Sequence, residues 1–185
     1  MYNRLKAENV RIALLLTGTV RAQVKGSNFS VEERMEMYHS TLLFYARELG
    51  KKYPIVLVEN SDVNLSSWKE EFKDSLRLEI LQFSPPIQNE KRIINDNGFD
   101  NRKGKGYNEY LMIKLGLEQS ETLRRSTHFL KLTGRYPMLN IREMLKEMES
   151  RGKDKLMMLD VKEFGLYEKL RGTFYGSRWG TPVFS

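Results

Sequence analysis

Lys131-Leu132-Thr133-Gly134-Arg135-Tyr136 is the stretch whose residue types point most directly to chemistry. A strand over residues 129–132 would deliver the guanidinium of Arg135 to the carboxyl edge of a sheet. Its planar fork matches phosphate or carboxylate oxygens in a bidentate way that lysine cannot. A structural salt bridge is the competing use. Thr17-Gly18-Thr19-Val20-Arg21 follows another apolar run and offers hydroxyls, a glycine and an arginine to a base, ribose or phosphate. It lacks the Gly-Lys-Ser/Thr ending of a phosphate-binding loop and the Gly-x-Gly of a dinucleotide fingerprint. A tight turn with a solvated Arg21 explains it equally well.

Glu59-Asn60-Ser61-Asp62 ends a third apolar run with groups suited to a base edge or ribose, and equally to an Asx-turn. Arg102-Lys103-Gly104-Lys105-Gly106-Tyr107-Asn108-Glu109 leads into a helix. Two glycines there free backbone amides to approach an anion, the helix start adds its dipole, and the basic residues add charge. A flexible basic loop is the alternative. Asp160 follows the apolar residues 156–159 and is a candidate base or metal ligand, although such residues also cap turns. His39 and His128 do not form a metal site by spacing, and no nucleophile-elbow motif signals a Ser/His/Asp triad. The absence of cysteine excludes disulfides, thiolate metal sites and a cysteine nucleophile.

The elements that must position these groups alternate between strand and helix. Apolar runs predict strands over 10–16, 55–58, 76–83, 129–132 and 155–161. Helices are expected from the capping-box-like Ser30 and Glu33 to Gly50, and over 66–72, 107–123 and 140–148. Residues 88–105 read as a polar loop. Such alternation predicts an α/β fold, a single three-layer domain over 1–185 with a mostly parallel sheet flanked by helices. In such sheets the ligand lies beyond the carboxyl ends of the strands, where strand order reverses.

At 185 residues and 21.8 kDa the chain can bury about 70% of its extended surface, enough for one substantial core. Hydrophobic residues at 40% and charged residues at 30% exclude disorder, collagen and coiled coil as dominant descriptions. The net charge of +7 comes from basic residues interspersed with acids, without long like-charge blocks or an RNA-binding motif, so no nucleic-acid partner is expected. The excess suits a nucleotide diphosphate or peripheral contact with an anionic membrane. No apolar run nears the roughly 20 residues of a membrane span, and no secretory signal is visible, so a cytoplasmic location, with room for the inner membrane face, is expected.

Together the blocks resemble the nucleotide-sugar-dependent glycosyltransferases of the GT-A fold, of the bacterial polysaccharide-synthesis type. The second strand ending in Glu59-Asn60-Ser61-Asp62, the glycine-containing entry Gly104-Lys105-Gly106-Tyr107-Asn108-Glu109 and the following strand at residues 129–132 fit that order over roughly residues 10–161. The family's Asp-x-Asp metal motif belongs at the end of that strand, where Thr133-Gly134-Arg135 stands instead. Without those carboxylates a bridging Mg²⁺ or Mn²⁺ loses its ligands. No resident cofactor is expected, and metal dependence should be weak or absent, with Arg135 neutralising the leaving diphosphate.

The resemblance implies a transferase moving a sugar from a nucleotide-sugar donor to a hydroxyl on a glycan or lipid-linked acceptor, in surface-glycan synthesis. Thr17, Gly18, Arg21, Glu59 and Asn60 would hold the nucleoside. Lys105, Asn108 and Lys131 would join Arg135 at the diphosphate, with Asp160 as the base. The aromatic, apolar residues 179–185 suggest a chain truncated there or completed in a homo-oligomer. The rival readings are a nucleotidyltransferase that makes the sugar nucleotide, and a non-catalytic nucleotide- or glycan-binding module.

Overall fold

The computed structural model describes residues 10–21, 29–84, 97–100 and 103–151, and the backbone of 159–161 and 178–180. Its centre is β1 (Ile12–Gly18), flanked by β2 (Ile55–Glu59); every residue of both is buried. Near-continuous apolarity is what strands covered on both faces require. Thr17 and Gly18, expected to open the turn, are instead the last rungs of β1, paired with Val58 and Glu59. With β3 (Leu78–Gln82) and β4 (His128–Thr133) they form an all-parallel sheet in the order β3-β2-β1-β4.

The pleat sorts the core. Leu14, Leu16, Ile55, Leu57 and Ile80 face one layer, made of α1 (Val31–Leu49), α2 (Ser66–Phe72) and α5 (Ile141–Arg151). Ala13, Leu15, Val56 and Val58 face the other, made of α3 (Gly104–Gln119) and α4 (Glu121–Arg124). The fold is therefore a three-layer α/β arrangement with helices on both faces of a parallel sheet. Burying each large aliphatic side chain contributes about 1.5–3 kcal/mol, and a one-residue slip of β1 would send each of its own side chains to the wrong layer.

The helix ends follow local chemistry. The capping box at the start of α1 is formed in both directions, Glu33 N to Ser30 Oγ at 3.1 Å and Ser30 N to Glu33 Oε2 at 2.7 Å. Gly50 closes the helix at φ 55°, a region open to glycine. The helix expected over 107–123 is in fact two. It opens at Gly104, inside the expected loop, and stops at Gln119 because Ser120 Oγ accepts from Leu123 N at 3.0 Å and caps α4.

β5 (Leu159–Val161) and β6 (Arg178–Gly180) form a separate antiparallel ribbon, in which Asp160 lies opposite Trp179. The strand expected over 155–161 is thus three residues long within the described part, 155–158 lying outside it, and its partner was not expected. No helix among the described residues is long and apolar enough to cross a membrane.

Candidate functional site at the carboxyl edge

Strand order reverses at β1, with β2 and β3 to one side and β4 to the other, so the crevice beyond the carboxyl ends of β1 and β4 is the switch point of the sheet. Its floor is Tyr38 of α1, only 4% exposed. Gly134 N donates to Thr17 O at 3.0 Å and carries the β1–β4 ladder one rung past β4. A Cβ on Gly134 would sit 2.7 Å from the Tyr38 ring and 3.1 Å from Thr17 O, so only glycine fits. Gly18 meets the same ring, at 3.2 Å. Both glycines therefore make room for Tyr38, whose hydroxyl accepts from Thr19 N at 2.9 Å. Burial raises the Tyr38 phenol above its ordinary range, against the lowering effect of the Thr19 amide and of the Arg135 and Arg34 charges.

The β2 flank of β1 is closed. Glu59, 1% exposed, accepts from Val20 N and Ser61 N, each at 3.0 Å, and from Ser61 Oγ. Burial raises its carboxyl above the ordinary value; the Ser61 hydroxyl and amide and the Val20 amide oppose this, and Asp62 adds to it. Asn60 N donates to Gly18 O at 3.3 Å, and Asn60 Oδ1 accepts from Thr19 Oγ1 at 2.6 Å. Arg21 N donates to Ser61 Oγ at 2.9 Å, and Arg34 Nη1 to Thr19 O at 3.0 Å. Glu59 and Asn60, expected to hold a nucleoside, thus fasten the loop after β1, and Arg21 is exposed beyond them.

The β4 flank is open. Glu109 of α3 accepts from Thr17 Oγ1 at 3.1 Å and from Lys131 Nζ, both on its Oε1. Burial pushes the Glu109 carboxyl up, but the bond and charge of Lys131, with Thr17, outweigh it and hold the group below its ordinary value. Thr133 and Tyr136 are exposed, and the Arg135 guanidinium lies 5.4 Å from the centre of the Tyr136 ring. Among the described residues no carboxylate pairs with Arg135. The first turns of α3 lie at this same edge, where Glu109 meets Thr17. Among the described residues that start has no side-chain cap from Lys103 and no acidic residue in its first turn, and Lys105 is exposed on it. Uncapped amides at a helix start favour an anion.

Asn108 is spoken for: Asp100 N donates to its Oδ1 at 3.0 Å and its Nδ2 to Asp100 O at 3.2 Å, which fixes the approach to α3. Thr17 and Lys131 meet at Glu109, Gly18 lies against Tyr38 on the other face, Arg135 follows β4 at the same end of the sheet, and Lys105 is on the first turn of α3. The side chain of Asp160, and all of Arg102, lie outside the described residues. His39 pairs with Glu71 at 2.6 Å, and among the described residues no three His, Cys, Asp or Glu groups converge. Thr133-Gly134-Arg135 offers a divalent cation no carboxylate, so these residues do not fit the metal of the GT-A pattern.

Tyr38 and Glu109 are the residues to which sequence reasoning assigned no role. Glu109 carried a signal, a carboxylate in the second turn behind a basic, glycine-containing helix start. Tyr38 carried none, because its place depends on how α1 lies under the sheet. Compared with known proteins, the chain matches no family model, no curated protein and no solved structure. The GT-A resemblance rests on the motifs themselves.

Proposed function

We propose that the protein is a nucleotide-sugar-dependent glycosyltransferase that binds its donor diphosphate between Arg135 and the start of α3. The observation that carries this is an arginine without a carboxylate partner among the described residues, placed just after β4 at the switch point, the end of the sheet where Glu109 of α3 also meets Thr17. In the reaction the acceptor hydroxyl attacks the anomeric carbon, and the sugar's bond to the diphosphate oxygen breaks. Arg135 and the α3 amides offset the charge left on the diphosphate. Glu109 Oε1 is held by Thr17 and Lys131, which leaves Oε2 to accept the hydroxyl proton in place of Asp160. The acceptor is a glycan or lipid-linked hydroxyl of surface-glycan synthesis.

The test is calorimetric titration with nucleoside diphosphates and nucleotide sugars in EDTA, paired with detection of released nucleoside diphosphate when acceptors are added. One nucleotide series should bind without metal, and Arg135→Ala should weaken it by about 2–5 kcal/mol. Unchanged affinity and turnover in that variant would remove the central claim. Because Glu59 and Asn60 are consumed by their own loop, a non-catalytic nucleotide-binding module is the second reading. Binding with no turnover under any acceptor would favour it.

A further inference from the structure

The amino edge of the sheet carries a recess that the reading above does not use. A cavity of about 630 Å³ opens at the starts of β1, β2 and β3, and its charged lining is Arg11, Lys52, Arg77 and Arg125 against Glu79 and Glu149. Both carboxylates already have partners. Glu149 accepts from Tyr53 Oη at 2.8 Å and pairs with Lys52 at 3.0 Å. Glu79 accepts from Ser120 Oγ at 2.9 Å and from Thr122 N and Glu121 N at 3.0 and 3.2 Å, at the start of α4. Arg125 pairs with Glu121 at 3.0 Å.

Arg11 and Arg77 differ from these. Arg11 Nε donates to Arg125 O at 2.8 Å and Arg77 Nη2 to Lys52 O at 2.6 Å, and neither meets a carboxylate among the described residues. Each guanidinium is oriented by one backbone bond and keeps its remaining donors. Fixing a fork in advance removes part of the ordering cost of binding. Ile12, Tyr53, Pro54 and Leu78 supply an apolar wall beside them. The volume falls within the roughly 300–1,000 Å³ of small-molecule sites, well beyond what a bare inorganic anion fills.

We propose that this cavity is a second ligand site, separate from the carboxyl edge, and that it takes a small organic phosphate. Arg11 and Arg77 hold the phosphoryl oxygens while the organic part lies against Tyr53 and Leu78. The phosphate chemistry alone is shared with inorganic phosphate, so both must be tried.

The experiment is calorimetric titration of the full chain with inorganic phosphate, glucose 1-phosphate and adenosine monophosphate at one fixed salt concentration. An organic phosphate should bind at least about tenfold more tightly than inorganic phosphate, and Arg11→Gln and Arg77→Gln should each cost about tenfold or more. Arg135→Ala should leave that affinity unchanged. Arg11→Lys and Arg77→Lys, with circular dichroism to verify the fold, keep the charge and lose the fork, so their affinity should fall between wild type and the Gln variants. Four results would overturn the site: no organic phosphate binding, inorganic phosphate binding as tightly, wild-type affinity in the Lys or Gln pair, or loss of binding in Arg135→Ala. Since that last variant reports on the carboxyl edge, failure of one site is distinguishable from failure of the other.

Discussion

β1 ends between two flanks built from the same kinds of residue and put to opposite uses. On the β2 side Glu59 receives three hydrogen bonds from Val20 and Ser61. On the β4 side Glu109 stands half-exposed with Lys131 and Thr17 on one oxygen. Burial raises both carboxyls; amide and hydroxyl donors fall short of cancelling it at Glu59, whereas an ammonium more than cancels it at Glu109. A carboxylate beside the end of β1 is therefore a fastener when a neighbouring loop closes over it, and stays charged when an ammonium offsets its burial.

The contrast breaks or sharpens under five substitutions. Glu59→Ala strands two amides and a hydroxyl in a buried pocket and should cost about 3 kcal/mol, lowering Tm by roughly 6–12 °C. A loss below 1 kcal/mol in thermal unfolding (about a third of that expectation) would show the flank is not locked. Gly134→Ala should cost about 2 kcal/mol by driving a methyl into the Tyr38 ring, and Tyr38→Leu in the same chain should recover part of it, as a double-mutant cycle would measure.

Glu109→Gln should cost under about 1 kcal/mol at neutral pH, since the ion pair is partly screened by solvent. Because the folded value lies below 4.5, Glu109's contribution is present above 4.5 and disappears as pH falls through the folded value, so acid unfolding curves of wild type and variant should converge. Glu59 runs the other way: its contribution is complete below 4.5 and is lost as pH rises through its raised folded value. Arg135→Ala should change stability by no more than about 0.5 kcal/mol while weakening diphosphate affinity by about 2–5 kcal/mol. A large loss in Tm there would make Arg135 a structural residue.

Much of the frame was legible. The unbroken apolar runs in β1 and β2, the Ser30–Glu33 box and the stop at Gly50 are local signals, and they fold as local chemistry dictates. The fate of Glu59 was not legible, because it is decided by Val20, a residue 39 positions away that crosses the end of β2. Gly18, offered with its neighbours to a base, ribose or phosphate, and Gly134, given no role of its own, both make room for a tyrosine. The break between α3 and α4 was hidden by apolar spacing that continues through Ser120, a residue type whose capping role outweighs periodicity. What sequence placed at the crevice, Thr17, Lys131 and Arg135, it placed through strand ends alone.

The sheet's register also fixes an order of events. Thr19 and Asn60, across β1 and β2, are 41 residues apart, whereas Arg11 and Thr127, beside β1 and β4, are 116 apart. Closing the longer loop costs on the order of 1 kcal/mol more chain entropy, and remote pairings form slowly. During synthesis the first three strands emerge before β4 exists as chain. Until then β1, the most apolar strand, presents a bare hydrogen-bonding edge of the kind that recruits other chains. The strand that carries Arg135 to the crevice is therefore also the one that seals the newborn protein against aggregation.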